Sequence, residues 1–247
     1  MRNADDDTIR VMTYNIRACL GIDRKRSLKR IARVIAHERP DVVALQEVDF
    51  NRKRSGNVEQ AAEIAEILNM HHQAPHSFRE GDGHYGNAVL SRYPIHLEKH
   101  DILPHLDGTE PRSAMRVTVE HQLGEFRLLN THLSFRRSDR PLQIDALLDP
   151  AWIGEQTPFQ RTIICGDLNC APRDKSFRKL VEYLSDTQVE TPGRPKTTWP
   201  TRRPFRRIDH ILISPDLTAA DAYIARSTRA KRASDHYPVV ADIRITL

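Results

Sequence analysis

The sequence predicts an α/β fold with mixed β-sheets, and three observations lead to this prediction. The 247-residue chain contains several short apolar runs that are rich in β-branched residues and flanked by turn-forming residues, a pattern typical of buried strands. Amphipathic segments with helical spacing lie between some of these runs. Other strand-like runs follow one another with no helix between them, which favours mixed sheets over a purely parallel sheet.

The chain begins with a predicted strand, helix and second strand. The two strand-like runs are residues 11–14 and residues 42–46. Between them, apolar side chains recur at helical spacing over residues 28–35. Ser27 is suited to cap the start of this helix, and Pro40 marks its end, because the residue before a proline disfavours helical conformation.

Two further helices are predicted along the chain. One covers residues 61–68, where Asn57 and Gln60 resemble a capping box. The other covers residues 177–184 and follows Ser176. The remaining strand-like runs are residues 88–90, 95–102, 115–119, 126–129, 162–165, 211–213 and 239–241.

Most of these runs lie next to residues that can bind a metal ion, a phosphate group or a proton. Open sheets place their sites at strand ends, so these polar residues are candidates for one common site. They are Asn15, Glu47, Asn130, His132, Asp167, Asn169, Asp209, Asp235 and His236.

Composition excludes a disordered chain and favours anionic partners. Hydrophobic residues make up 39% and charged residues 29%, which is enough apolar material for a sizeable core. The net charge of +5 favours nucleic acid, phosphorylated metabolites or anionic lipid surfaces. The Pro- and Arg-rich residues 191–207, which include Arg206 and Arg207, are the best candidate for a loop. This segment is either a solvated basic loop or a guide for substrate phosphates.

Three cysteines are too few to form a disulfide framework, which favours a reducing compartment. The first seven residues are polar and lack the apolar stretch of a signal peptide, and no run approaches the roughly 20 apolar residues of a membrane span. We therefore expect a cytoplasmic protein with one domain over residues 1–247. A monomer without an obligate protein partner is the default expectation.

The polar residues at the strand ends suit phosphoester hydrolysis at a metal site. This reaction requires neutralisation of a negatively charged transition state and an oriented water, tasks that suit a divalent cation with Asp, Asn and His side chains. Mg²⁺ (or Mn²⁺) takes oxygen ligands, which Glu47, Asp235 and the amide of Asn15 can supply. Zinc is less expected, because no pair of Cys or His residues has ligand spacing.

Six short motifs follow one another in a characteristic order. They are Thr13-Tyr14-Asn15, Leu45-Gln46-Glu47-Val48, Asn130-Thr131-His132-Leu133, Gly166-Asp167-Leu168-Asn169, Arg207-Ile208-Asp209-His210 and Ser234-Asp235-His236. In this order they resemble the signatures of the endonuclease/exonuclease/phosphatase (DNase-I-like) superfamily, in a compact bacterial form. The resemblance covers residues 9–245. It implies a four-layer α/β sandwich, with two mixed β-sheets face to face and helices on the outside.

The resemblance also implies roles for the metal and water side of the site. Glu47 would be the principal metal ligand, with Asn15 and Asp235 completing or supporting that site. Asp167 would orient or deprotonate the attacking water, and Asn169 would hold a phosphate oxygen. One or two metal ions are possible, because Asp167 and Asn169 could host a second.

On the phosphate side, the resemblance places His236 beside the scissile phosphate, with Asp209 bonded to its far ring nitrogen. His236 would act either as a base or as a cationic stabiliser. His132 would contact the phosphate. Arg112 and Asn87 could line the pocket, and each has a structural alternative as a strand-edge or turn residue.

The favoured function is a metal-dependent phosphodiesterase that attacks nucleic acid with activated water and forms no covalent intermediate. The basic residues 191–207, together with Arg136, Arg137 and Arg140, favour nucleic acid. One alternative is cleavage of phospholipid or sphingomyelin headgroups or of a small phosphorylated metabolite. An alternative of another class is a non-catalytic nucleic-acid-binding module on the same scaffold.

Overall fold

A computed structural model describes residues 7–153 and 160–245. The prediction that the chain has no signal peptide depends largely on the first six residues. These residues lie outside the described residues. Among the described residues, no helix is long and apolar enough to cross a membrane.

Within these ranges the chain forms thirteen strands and seven α-helices. The strands are β1 (Thr8–Asn15), β2 (Val42–Phe50), β3 (His71–Gln73), β4 (Phe78–Glu80), β5 (Gly83–Ser91), β6 (Ile95–Ile102), β7 (Ser113–Val119), β8 (Phe126–His132), β9 (Thr162–Asp167), β10 (Ser185–Asp186), β11 (Asp209–Ile213), β12 (Leu217–Ile224) and β13 (Val239–Ile245). The helices are α1 (Leu28–Glu38), α2 (Gln60–Leu68), α3 (Asp139–Leu147), α4 (Pro150–Ile153), α5 (Lys175–Leu180), α6 (Thr187–Glu190) and α7 (Thr228–Ala233).

The strands form two mixed sheets, as the sequence predicts. The first sheet has the order β12-β13-β1-β2-β5-β3, and β4 also pairs with β5. The second sheet has the order β10-β11-β9-β8-β7-β6. In each sheet one central pair is parallel, β1 with β2 and β8 with β9, and the other pairs are antiparallel.

The central strands of the second sheet are buried on both faces, and their side chains alternate between two cores. Ile163 and Cys165 of β9 point into the large core between the sheets, whereas Ile164 points into a smaller core. That smaller core contains Ile144 of α3 and Phe177 of α5. Because α1, α2 and α7 pack their apolar side chains on the first sheet, the layers are helices, sheet, sheet and helices. The predicted α/β sandwich is therefore confirmed.

A buried polar network joins the two sheets near one end. The Asn130 side-chain amide on β8 donates to the carbonyl groups of Leu45 and Ala88 in the first sheet, both at 2.9 Å. Gln46 in turn donates to the Asn130 Oδ1 at 2.8 Å and to the Thr13 hydroxyl at 3.0 Å. A buried polar group without a partner would be costly, so these bonds fix how the sheets lie at this end.

The cap of α1 agrees with the sequence prediction, and the cap of α2 differs from it. Ser27 accepts a hydrogen bond from the backbone N–H of Arg30 and caps α1, as predicted. The predicted capping box at α2 is wrong, because Asn57 has a φ of 55° and lies in the preceding turn. Gln60 instead turns inward, accepts from the N–H of Asp49 and donates to the carbonyl of Ala18.

The third predicted helix is shorter than expected. It ends at Leu180 instead of residue 184, and its cap is Asp174, which accepts from the N–H of Ser176. The adjacent α3 is absent from the sequence prediction. Most of its buried residues are polar, Asp139, Arg140 and Gln143 among them, so its apolar periodicity is weak.

Candidate active site

The polar strand ends meet at one end of the sandwich. The parallel strands β1 and β2 carry Asn15 and Glu47 at or near their carboxyl ends, and the parallel strands β8 and β9 end at His132 and Asp167. The antiparallel strand β11 begins at Asp209, directly opposite Asp167. The sheet topology therefore brings together residues that are far apart in the sequence.

Asn15 links two carboxylates at the centre of this cluster. Its side-chain amide donates to Glu47 Oε1 at 2.9 Å and to Asp167 Oδ2 at 3.0 Å. Its Oδ1 accepts the backbone N–H of Arg17 at 3.0 Å, which fixes the orientation of the amide. Asn15 thus points its nitrogen, not its oxygen, at the carboxylates.

An irregularity in β2 turns Glu47 toward Asn15. The pairing of β2 with β5 shifts register between Leu45 and Val48, and Glu47 within this break has a φ of 58°. Such bulges redirect a side chain at the end of a strand. Burial, together with the nearby Glu47 carboxylate, raises the pKa of Tyr85 on β5 well above its usual value.

His236 is buried and held on one side by a carboxylate. Both oxygens of Asp209 lie 3.0 Å from its Nδ1. Its Nε2 lies 3.7 Å from Asp167 Oδ2, which is too long for a direct hydrogen bond. A water or phosphate oxygen could contact both atoms.

The buried charges shift the pKa values of this pair. Burial alone would lower the pKa of His236, but Asp209, Asp167 and Asp235 together raise it to about 10. Burial and the charge of Asp209 raise the pKa of the Asp167 carboxyl above its usual range. The imidazolium form of His236 is therefore favoured at neutral pH.

His132 is the second buried imidazole of the cluster. The Arg112 Nη1 donor lies 3.2 Å from the Nδ1 of His132, and the Nε2 of His132 lies 3.4 Å from Asp167 Oδ2. Burial, followed by the charges of Arg112 and His236, lowers the pKa of His132 well below its usual value. Asn169 lies beside it, with Nδ2 at 3.1 Å from Nε2 and 2.9 Å from the carbonyl of Leu133.

Two predicted residues lie at the border of the cluster. Asp235 Oδ2 is 3.7 Å from Arg17 Nε and accepts from Trp199 Nε1 at 3.3 Å. The Arg206 guanidinium lies 5.9 Å from the centre of the Trp199 ring, which is itself 6.3 Å from the His236 ring.

Two other predicted residues have their hydrogen-bonding groups occupied elsewhere. The Arg207 guanidinium is buried and pairs with Asp186, so it is not available to a substrate phosphate. The Asn87 side-chain amide donates to the carbonyl and hydroxyl of Ser113 at 2.9 and 3.2 Å.

A model of the endonuclease/exonuclease/phosphatase family matches residues 12–236. The chain belongs to this family. The resemblance predicted from the six motifs is confirmed, and the match includes Asn15, Glu47, His132, Asp167 and His236.

Individual members of the family show how far the similarity extends. The chain is 30% identical over 168 residues to the uncharacterized protein YbhP of Escherichia coli K12, which covers 66% of this chain and 64% of that protein. It is 25% identical over 201 residues to the 5'-tyrosyl-DNA phosphodiesterase of Caenorhabditis elegans, covering 78% of this chain and 51% of that enzyme. It thus spans less than two thirds of the length of these curated relatives.

A solved structure of the family shares the whole architecture. The endonuclease/exonuclease/phosphatase from Beutenbergia cavernae superposes with a TM-score of 0.78 at 27% sequence identity. The similarity covers 96% of this chain and 72% of that protein.

Members of the family are generally divalent-metal-dependent, and the residues present fit such an ion. The carboxylates of the cluster, from Glu47, Asp167 and Asp209, supply the oxygen ligands that a hard cation takes. Among the described residues, Asp167, Asp209 and His236 have ligand atoms within 4.8 Å of one another. Both Asp209 oxygens already contact His236. The partly exposed Glu47 is therefore more available than Asp209 to bind an ion. The nearby Cys170 is buried in the smaller hydrophobic core, and burial raises the pKa of its thiol to about 12.

The sequence prediction does not include two residues of the site. Tyr85 contacts Glu47, and Trp199 contacts Asp235 and packs near His236. Tyr85 lies two residues before Asn87 on β5, so the two side chains share one face of the strand. This alternation could have identified Tyr85 from the sequence. Trp199 lies in the irregular residues 191–207, and neither periodicity nor strand alternation marks its position.

Proposed function

We propose that the chain is a divalent-metal-dependent phosphodiesterase that hydrolyses nucleic acid by direct attack of water on phosphorus. The observation that carries this proposal is the group of the buried Asn15, Asp167, Asp209 and His236 with the partly exposed Glu47, in which one imidazole and three carboxylates converge on a small volume. A binding module without catalysis would have no need for so many buried charges, because each costs desolvation energy.

Asp167 is the residue that receives the attacking water. Its raised pKa makes it a better proton acceptor than an exposed carboxylate, and the Asn15 amide and the Asn169 N–H hold its two oxygens in place. Asn15 acts here as a positioning residue, because its nitrogen faces the carboxylates.

His236 stabilises the negative charge that develops on the phosphate oxygens. Asp209 fixes a proton on Nδ1 and favours the imidazolium, so Nε2 presents a second proton toward the position of the substrate. The raised pKa supports the cationic role over the role of base. Neutral His132, with Asn169 and Arg112 beside it, adds donors to the same oxygens.

Glu47 is the ligand we propose for Mg²⁺ or Mn²⁺, with Asp235 in support. When bound, such an ion neutralises phosphate charge and lowers the pKa of coordinated water. Tyr85 orients the Glu47 carboxylate through its hydroxyl. We propose the oxygen-preferring Mg²⁺ over zinc because the cluster offers no thiolate.

Nucleic acid is the substrate class that the surroundings support best. Trp199 and the 69% exposed Phe205 have ring centres 5.8 Å apart, with Arg206 beside Trp199, an arrangement on which unpaired bases can stack. The C. elegans relative is named as an enzyme that acts on DNA.

A substrate panel tests the proposal. Purified protein with Mg²⁺ or Mn²⁺ should hydrolyse plasmid, abasic or single-stranded DNA, or RNA, and EDTA should abolish the reaction. Glu47→Ala and His236→Ala should each reduce kcat/KM by roughly three orders of magnitude, because each removes transition-state stabilisation. The exposed Glu66→Ala and His71→Ala are matched controls that should keep wild-type activity.

Two results would contradict the proposal in different ways. Retention of most activity by Glu47→Ala or His236→Ala would exclude this cluster as the active site. Turnover of sphingomyelin or of sugar phosphates with intact nucleic acid would exclude the substrate class but leave the site in place.

A further inference from the structure

A basic cavity adjoins the candidate active site beyond Asn169. It has a volume of about 510 Å³, and Ala171, two residues after Asn169, lies in its wall. Five cationic side chains line it: Arg137, Arg173, Lys175, Arg178 and Arg206.

These five cations are not paired with carboxylates of the described residues. Within residues 7–153 and 160–245, none of them forms an ion pair, whereas Arg10, Arg52 and Arg54 all pair with carboxylates. The single acidic residue of the cavity, Asp174, is already paired with the buried Arg140 at 2.7 Å. Five like charges around one cavity repel one another, and an anion bound there would relieve that repulsion.

The cavity and the active site are held together by Arg140. Its Nη1 donates to the carbonyl of Asn169 at 2.8 Å, and its Nη2 donates to Asp174 at 2.7 Å. The sequence alone suggested that Arg140 contacts nucleic acid, but only 1% of it is exposed. It therefore positions the wall of the cavity relative to Asn169. On the other side, Arg206 connects the cavity through Trp199 to His236.

We propose that this cavity binds a backbone phosphate of the substrate strand next to the scissile phosphate. The inference rests on the proposed function, and it extends that function from a single phosphodiester to a polynucleotide with several phosphates. A lipid headgroup or a monoester carries one phosphate and would leave the cavity unused. The chemistry required is a polyanion whose charges are spaced along a chain, which matches single-stranded nucleic acid.

Binding of a fluorescein-labelled single-stranded 20-mer, measured by anisotropy in EDTA, tests this without hydrolysis. The variant Lys175→Ala/Arg178→Ala removes two exposed cations from α5. Its Kd should rise about tenfold at moderate salt, and the slope of log K against log salt should fall by about 1.4, because each contact contributes about 0.7 for single strands. The matched variant Lys29→Ala/Arg33→Ala removes the same charges from the exposed face of α1 and should bind like wild type.

Three outcomes would overturn the inference. They are an unchanged oligonucleotide Kd for Lys175→Ala/Arg178→Ala, an equal loss in both double variants, or a tenfold loss of binding to phosphatidylserine vesicles that exceeds the loss of oligonucleotide binding. Equal melting temperatures would show that both variants fold. Failure of the proposed function has a separate readout, because it is seen as absent hydrolysis by the wild-type protein in Mg²⁺ or Mn²⁺.

Discussion

At the residue scale, the charge of His236 depends most on one neighbour, Asp209. Burial opposes the imidazolium, and the Asp209 carboxylate 3.0 Å from Nδ1 contributes most to overcoming that effect, together with Asp167 and Asp235. We expect Asp209→Asn to lower the pKa of His236, so that the imidazolium and the activity that needs it are lost at lower pH than in wild type. The measurements are a pH–rate profile and NMR titration of the His236 imidazole.

The control for this variant is Asp107→Asn, which changes the same charge at an exposed position. It should leave the titration of His236 and the alkaline limb of the pH–rate profile unchanged. A His236 pKa that is the same in Asp209→Asn and wild type would show that Asp209 does not set the charge of the ring.

The sequence identifies the residues of the cluster better than their orientations. Asn15, Glu47 and Asp167 were predictable as candidates because each lies at or near the end of an apolar strand, and the ends of strands in the two sheets meet at one end of the sandwich. The direction of the Asn15 amide depends on the N–H of Arg17 and on two carboxylates, which only the folded chain brings together. Arg207 next to the site motif could not be excluded from sequence, because its partner Asp186 is 21 residues away on another strand.

At the scale of elements, the pairing of β8 with β9 requires glycine at position 166. Gly166 has a φ of 145°, and an added Cβ would lie 1.8 Å from the carbonyl oxygen of Thr131. We expect Gly166→Ala to destabilise the protein by about 2–5 kcal/mol, the combined cost of backbone strain and overpacking. Activity should also fall, because Asp167 directly follows. Urea denaturation gives the free energy of unfolding.

Gly56→Ala separates the cost of backbone strain from the cost of overpacking. Gly56 has a φ of 87° but no atom within 4 Å of an added Cβ, so only the strain of a positive φ applies. This variant should lose about 1 kcal/mol. Equal losses at the two positions would mean that the close approach of Thr131 has no effect on stability.

The elements that the sequence predicts are those with an apolar pattern of their own. The central strands β1, β2, β8, β9 and β11 are buried on both faces and read as continuous apolar runs. The edge strand β12 is partly exposed and contains Thr, Asp and several Ala residues, so no run marks it. The helix α3 exists through buried polar contacts such as that of Arg140 with Asn169, which local sequence does not encode.

At the scale of the whole molecule, stability in acid depends on a histidine that the core holds neutral. His210 on β11 is fully buried, with Nε2 2.9 Å from the carbonyl oxygen of Cys170 and its ring centre 4.3 Å from that of Phe177. Its Nδ1 has no partner among the described residues. Burial, with a smaller effect of Arg207, lowers the pKa of His210 to about 4.

The direction of the pH effect follows from these values. Between pH 4 and about 6.5 the unfolded chain binds a proton at His210 that the native protein does not. The stability that comes from keeping His210 neutral is therefore fully present above about pH 6.5 and is lost as the pH falls toward 4. Between pH 7.5 and 5 this group should lower the free energy of unfolding by about 2 kcal/mol.

His210→Leu tests this account, because leucine fills a similar space and does not titrate. The variant lacks the bond to Cys170, so it should be less stable than wild type at pH 7.5. The difference in free energy of unfolding between the two proteins should narrow by about 2 kcal/mol at pH 5. Urea unfolding at both pH values measures the gap, and the other titrating groups cancel in the difference. Parallel pH dependence of the two proteins would show that the acid sensitivity arises elsewhere in the fold.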